Sequence, residues 1–309
     1  MSSASRFVPF HQLVDGIPRS PFLDPALVRQ ALAYKPREGD IVLVTYPKSG
    51  SHWVQQIVQL ILNRGEIQLL TSSEITKRTP LLENQGTRWL DDVPPPRTIR
   101  THLQKLRDNF SEEAKYIYLA RSPWDCCISF YHTVKTLPKY RFQDGTFDNF
   151  VDAFLTEDFG YDNYFEHVSC GYEHRDRSNV FFLTYEDLKR DTSNVVLRLA
   201  YFIGDEYGKT VEENDDVFER ILEKCSYEYM RRVFGMDASR YANVLTSYCD
   251  FPQNAAAAED IKEPAGRPFS VRKGSVRGWR DYYTHEQMQR MRLRLEQTCK
   301  KLSIIWEPK

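Results

Sequence analysis

An apolar run that ends in a small, basic loop and restarts as a helix limits this chain more than any other feature. Asp40-Ile41-Val42-Leu43-Val44-Thr45-Tyr46 is short, β-branched and bounded by Gly39 and Pro47, the pattern of a strand buried on both faces. Residues 53–62 carry apolar side chains at helical spacing and stop near Gly65, so they read as a helix. Between them lies T-Y-P-K-S-G-S-H-W, residues 45–53. A loop in that position offers unpaired backbone N–H groups and the positive end of a helix dipole. Lys48 adds a full charge, Ser49 and Ser51 add hydroxyls, and Gly50 lets the backbone come close to a ligand. Those parts suit a phosphate-like group, while an ordinary strand–turn–helix connection with a surface Lys stays open on spacing alone. The Walker pattern is absent, because Lys48 precedes the loop's only glycine, so ATP with magnesium is not the favoured ligand.

The unit recurs. Residues 115–120 read as a second strand, after which Ser122 as N-cap, Pro123 at the first helical position and Asp125 in the first turn start a helix through Ser129 towards Lys135. Residues 180–185 read as a third strand. Strands alternating with helices predict an α/β fold, a central parallel sheet flanked by helices. No internal repeat and no clear linker divides the chain, so residues 1–309 are read as a single domain. Beyond about Tyr201 the chain turns helical and polar; residues 251–278 read as a long loop and residues 284–302 as a terminal amphipathic helix.

Charge is nearly balanced, with 42 Lys and Arg against 43 Asp and Glu, so any anion site is local and neither nucleic acid nor an anionic membrane is the expected partner. No run approaches the roughly 18 to 20 apolar residues of a membrane helix, and the N-terminal residues do not read as a signal peptide. Cys126, Cys127, Cys170, Cys225, Cys249 and Cys299 form no C-x-x-C pair and no metal-ligand spacing, which predicts reduced thiols, no metal and a cytoplasmic location.

The loop resembles the T-Y-P-K-S-G-T-T-W loop of the cytosolic sulfotransferases, and the likeness extends over most of the chain. Residues 120–132, A-R-S-P-W-D-C-C-I-S-F-Y-H, are similar to the family's second block, and residues 272–284, R-K-G-S-V-R-G-W-R-D-Y-Y-T, to its third. The resemblance implies a single α/β sulfotransferase domain related to nucleotide kinases and their P-loop, using 3′-phosphoadenosine 5′-phosphosulfate (PAPS), with adenosine 3′,5′-bisphosphate (PAP) as product and no metal. It implies that Lys48, Ser49, Gly50, Ser51, His52 and Trp53 hold the 5′-phosphosulfate side. Arg121 and Ser129, with Ser270, Val271, Arg272, Lys273 and Gly274, hold the 3′-phosphate. Trp53, Tyr185, Cys225, Ser226, Tyr227 and Met230 match adenosine contacts.

The family's K-T-H-L-P appears as Arg100-Thr101-His102-Leu103-Gln104. By resemblance His102 is the general base, Lys48 stabilises the bridging oxygen, and Arg100 and Ser129 complete the catalytic set. An imidazole titrates near working pH, as such a base requires. Arg100 in place of Lys keeps the charge but brings a planar fork. Phe22, Leu81, His102, Thr133, Tyr140 and Phe142 correspond loosely to the acceptor pocket, which favours a small phenol or phenolic monoamine. A donor-binding protein of the same fold without turnover, or a nucleotide-kinase-like phosphotransferase, are the alternatives. The family's dimer motif is half present, as Arg280, Thr284, His285 and Gln289, which leaves a homodimer open.

Overall fold

The computed structural model describes residues 7–66, 78–156, 159–234, 278–280 and 282–306. The chain opens with a hairpin, β1 (Gln12–Val14) and β2 (Ile17–Arg19), followed by α1 (Pro25–Ala33), β3 (Asp40–Thr45) and α2 (Ser51–Leu62). Next come α3 (Leu82–Gln85), β4 (Arg97–Thr101), β5 (Lys115–Ala120), α4 (Pro123–Thr136), α5 (Phe147–Thr156), α6 (Tyr164–Glu173) and β6 (Val180–Thr184). The remainder is helical: α7 (Tyr185–Arg190), α8 (Thr192–Ile203), α9 (Asp205–Glu213), α10 (Asp215–Lys224), α11 (Tyr227–Phe234), α12 (His285–Thr298) and α13 (Lys300–Ile305).

The central sheet has the order β4-β3-β5-β6, and every pairing in it is parallel. Parallel sheets need both faces covered, and β3 shows how. Its side chains alternate, so Val42 and Val44 join Tyr116, Tyr118, Phe130, Phe150, Phe165 and Met291 in one apolar layer. Ile41 and Leu43 join Ile117, Leu119, Val54, Ile57, Val58 and Leu199 in the layer on the other face. Each fully buried aliphatic side chain contributes about 1.5–3 kcal/mol, so this double-sided burial holds the strands rigidly.

Two local readings need correction. The terminal helix is not continuous: α12 ends at Thr298, Cys299 is extended, and α13 restarts at Lys300. Ser122 precedes α4 as expected, but its side chain makes no cap bond; its N–H donates to Glu186 Oε1 at 3.0 Å instead. The fourth strand, β4, was not anticipated, because R-T-I-R-T carries a single aliphatic residue. All five of its residues are nevertheless buried. Arg97 pairs with Asp40 at 2.6 Å, and Thr98 takes a hydrogen bond from Gln59 Nε2 at 2.7 Å. The residues of the half-present dimer motif are engaged locally. Thr284 and Gln287 form a capping box for α12, and His285 bonds Gln289 at 2.9 Å.

Just after β4, Lys105 is fully buried and donates from Nζ to Leu32 O at 2.9 Å and Tyr34 O at 2.8 Å, satisfying carbonyls at the end of α1. Burial outweighs the nearby Asp108 and Glu83 charges and lowers its ammonium from 10.5 to about 8. Between those two values the unfolded chain holds a proton that the folded chain has released, so stability rises with pH across the window. Measured against Lys105→Met, which cannot titrate, the unfolding free energy of the natural chain should gain on the order of 1–3 kcal/mol over this window. A difference that stays flat in denaturant titrations from pH 8 to 10.5 contradicts the assignment.

Candidate functional site

The four strands stop nearly level. Val44 pairs with Thr101, Thr45 with Leu119, and Ala120 with Thr184. The residues that follow therefore gather along one edge: the 46–50 loop, His102, Arg121 and Tyr185. Successive connections leave β3 and β5 in opposite directions across the sheet, and the crevice where that reversal occurs is where open α/β sheets bind ligands.

The loop is built for backbone exposure. Lys48 has a φ of 72° and Gly50, which begins α2, a φ of 108°. The left-handed region is costly for Lys and easy for Gly. A Cβ at Gly50 would also lie 2.8 Å from Tyr185 Cδ2, too close for any side chain. Ser49 is fully buried, and its hydroxyl has no hydrogen-bond partner among the described residues, although the thiol of Cys126 lies beside it, donating to Pro47 O at 3.2 Å. Ser51, at the first turn of α2, is also buried.

Arg121 leaves β5 and donates from Nη1 to Lys48 O at 2.9 Å, tying the two loops together. Its guanidinium lies 4.4 Å from the Tyr185 ring centre, and its Nε has no partner among the described residues. It does not form the ion pair with Asp125 that a purely structural role would use. Arg100 donates from Nη1 to Gln55 Oε1 at 3.1 Å, and its buried Nε likewise has no partner among the described residues. A buried donor without a partner costs about 1–3 kcal/mol, more when charged. Two guanidinium Nε atoms and the Ser49 hydroxyl in that state fit an anionic group at this edge. Ser129 lies half-buried in the second turn of α4.

Flat apolar faces stand beside the anion loop. Trp53 and Tyr185 are 5.3 Å apart, edge to face, and Trp53 Nε1 donates to Cys225 O at 2.9 Å. Lys189 Nζ reaches over Trp53 at 5.9 Å and over Tyr227 at 5.7 Å, bringing those two rings to one neighbourhood. Cys225 and Met230 are buried, burial pushing the Cys225 thiol up to about 12, and Ser226 Oγ accepts from Tyr229 N–H at 3.2 Å. The Cys225 thiol donates to Leu222 O at 3.5 Å, so the contact of this residue with Trp53 is made by its carbonyl.

His102 sits on the next residue after β4. Its Nδ1 lies 2.8 Å from Thr45 O and 3.1 Å from Thr45 Oγ1. A carbonyl only accepts, so Nδ1 carries the proton and Nε2 keeps its lone pair. Burial first, then the Arg100 guanidinium, push the ring down to about 3, with the Thr45 carbonyl opposing. His52 is held well below its ordinary value by burial, then by Arg100, Lys48 and His102, so it acts as a neutral hydrogen-bonding group. Two neighbours of His102 carry no signal in their local spacing. Glu83 is fully buried, accepts the His102 N–H on Oε1 at 2.8 Å and the Thr101 hydroxyl on Oε2 at 2.9 Å, and is raised chiefly by burial. Tyr161 lies edge-on to the His102 ring at 5.6 Å and packs against Phe130 at 6.4 Å.

Of the acceptor candidates, Leu81 bridges to Arg100, two residues before His102. Phe22 and Tyr140 touch each other at 5.7 Å, with Tyr140 OH 3.0 Å from Ser20 Oγ. Thr133 spends its hydroxyl on Ser129 O at 3.0 Å, and Phe142 is fully buried between Phe7 and Phe150. Ser270, Val271, Arg272, Lys273 and Gly274 lie outside the described residues. Among the described residues no helix is long and apolar enough to cross a membrane, and no cluster of His, Cys, Asp and Glu could hold a metal ion.

The family model for the sulfotransferase domain matches residues 38–303. Sulfotransferase 1B1 of Mus musculus is 32% identical over 81% of this chain and 79% of its own length. The amine sulfotransferase of Oryctolagus cuniculus is 29% identical over 92% of this chain and 89% of its own. The crystal structure of mouse sulfotransferase SULT7A1 complexed with PAP superposes with a TM-score of 0.68 at 24% identity, over 96% of both chains, and so shares the fold. A domain model that spans most of the chain, and relatives at this identity and coverage, show that the chain belongs to the sulfotransferases.

Proposed function

We propose that residues 1–309 act as one cytoplasmic sulfotransferase domain that sulfates a hydroxyl of a small acceptor, a phenol or phenolic monoamine, with His102 as general base. The observation that carries this reading is the commitment of His102 Nδ1 to the Thr45 carbonyl, which leaves Nε2 as an acceptor beside Lys48 and Arg100. PAPS, when bound, supplies the sulfuryl group and leaves as PAP. Lys48, Ser49, Gly50, Ser51 and His52 hold its 5′ side, and Arg121, Ser129, Ser270, Val271, Arg272, Lys273 and Gly274 its 3′-phosphate. Trp53, Tyr185 and Tyr227 present faces for the adenine, with Cys225, Ser226 and Met230 around them. Leu81 and Tyr161 form apolar walls near the base, with Phe22, Thr133, Tyr140 and Phe142 assigned to the pocket beyond. The amine sulfotransferase among the relatives supports an acceptor that carries an amine.

Each protein group then has a defined task. His102 Nε2 takes the acceptor's hydroxyl proton, and the Thr45 carbonyl stabilises the imidazolium so formed through Nδ1–H. Lys48 stabilises the negative charge that builds on the leaving side, and Arg100, pinned by Gln55, supplies a second fixed charge. Burial and the Arg100 guanidinium lower the His102 ring to about 3, below the working range of a general base; the negative charge of bound PAPS would offset the Arg100 and Lys48 charges and bring Nε2 back towards that range.

Three substitutions separate these tasks. His102→Ala should leave PAP affinity nearly intact by calorimetry and lower kcat about 10²–10⁴-fold; turnover near the natural rate removes His102 from the base role. Lys48→Met should weaken PAP binding about tenfold and also slow transfer, and an unchanged affinity and rate contradict the loop assignment. Gly50→Ala forces a left-handed backbone on a residue with a Cβ and pushes Tyr185 aside. Its PAP affinity should fall about tenfold for a strain of 1–2 kcal/mol, whereas natural affinity would mean that the loop moves freely.

A further inference from the structure

We propose that Glu83 is a positioning residue for His102: its buried carboxylate grips the main chain just past β4 and thereby aims Nε2 at the acceptor. The proposal rests on the reading of His102 as the base. Its two oxygens serve adjacent residues, Oε1 taking the His102 N–H at 2.8 Å and Oε2 the Thr101 hydroxyl at 2.9 Å. Thr101 Oγ1 in turn accepts the Leu103 N–H at 3.1 Å. One carboxylate thus organises three consecutive residues at the point where the strand ends and no ladder partner remains to hold them.

The ring does not share this anchor. Nδ1 is committed to Thr45 O, on the neighbouring strand end. His102 is therefore held twice, by its ring from β3 and by its main chain from Glu83. With both in place, the direction of Nε2 is determined; with one lost, the ring can swing about the other. Glu83 belongs to the same short segment that pairs Leu81 with Arg100 and offers Pro80 O to the Arg100 N–H at 2.9 Å. The segment that carries Glu83 is thus itself tied to β4 two residues before the base.

The carboxylate is fully buried, and the hydrogen-bond partners found for it are neutral donors. Placing a carboxylate there is costly, yet two acceptor lone pairs facing two donors suit a carboxylate better than an amide. Glu83→Gln can still accept from His102 N–H while its amide donates to the Thr101 oxygen, so it keeps the grip without the charge. Glu83→Ala removes both contacts.

The test is steady-state kinetics with PAPS and a phenol, together with PAP calorimetry, on Glu83→Ala, Glu83→Gln, His102→Ala and the Glu83→Ala/His102→Ala double variant. Glu83→Ala should lower kcat about 10²-fold with acceptor KM and PAP affinity nearly unchanged, and Glu83→Gln should recover most of that loss. In the His102→Ala background, Glu83→Ala should cost nothing further, because its effect passes through the base. Three results overturn the proposal: a Glu83→Ala kcat near the natural value, a Glu83→Gln as slow as Glu83→Ala, or losses that simply multiply in the double variant. A His102→Ala enzyme that turns over normally overturns the base assignment instead, whatever Glu83 does. Should Glu83→Ala fail to fold, Thr101→Val removes one of the two grips and is measured in its place; a fall of about tenfold in kcat alone supports the proposal, and an unchanged kcat refutes it.

Discussion

Four parallel strands that end level with one another are the constraint on which the rest depends. Their register brings Thr45, Thr101, Ala120 and Thr184 to one edge, so the loop at Lys48, then His102, Arg121 and Tyr185 follow without further folding. Apolar packing on both faces makes that edge immobile. The ends themselves, where ladder bonding stops, are held by groups from outside the sheet. Glu83 holds the residue after β4, and Glu186 accepts from Ser122 N–H at 3.0 Å and from Trp306 Nε1 at 3.1 Å, so it holds the turn after β5. Arg121 completes the set by donating to the Lys48 carbonyl. The loop after β3, His102 after β4 and the turn after β5 are thus each braced from a different element.

The electrostatics of this edge run against the molecule as a whole. The chain is nearly neutral, with a formal net charge of −1, yet Lys48, Arg100 and Arg121 converge here. Such a field favours a polyanion, and it has a second effect on the same residues. It presses both imidazoles, His52 and His102, towards the neutral form. Burial is the larger cause of the neutral imidazoles and the cationic field adds to it, so a bound anion, by offsetting that field, would leave His102 more basic. The cost is a set of buried donors without partners among the described residues, about 1–3 kcal/mol each. That is comparable with burying one or two aliphatic side chains of the core, a cost the double-sided packing of the sheet can offset.

The legible parts of this structure are those whose signal is local. Strands β3, β5 and β6 are apolar runs between Gly, Pro or turn residues, and the anion loop declares itself by its position between strand and helix. β4 is buried just as fully but is written in polar residues, because each one has a distant partner: Arg97 has Asp40, Thr98 has Gln59, Arg100 has Gln55 and Thr101 has Glu83. No periodicity reveals such a strand. The same partnership explains the glutamines of α2. Gln55, Gln56 and Gln59 are buried on a helix whose spacing suggests an apolar face, and they bond to Arg100, to Lys224 O at 3.2 Å, and to Thr98. Glu83 and Tyr161 were invisible for the same reason. His102 and Arg121 were singled out through resemblance, since a lone His or Arg in a sequence of this length says little by itself, whereas Lys48 was already marked by its place in the loop.

Arg100 shows how a substitution in such a site is absorbed. Where the resembling family has Lys, this chain has a guanidinium whose Nη1 reaches Gln55 Oε1, while its main chain accepts pairing from Leu81 and donates to Pro80 O. It is therefore fixed at both ends of the side chain. A Lys ammonium is a single mobile donor head; Arg can hold Gln55 with one nitrogen and still aim Nε and its remaining N–H groups elsewhere. The Nε is buried and without a partner among the described residues, the donor that the proposed anion would use. Gln55 is thus the reason that an Arg at this position is a rigid charge rather than a swinging one, and a rigid charge is what stabilises developing negative charge without reorganising first.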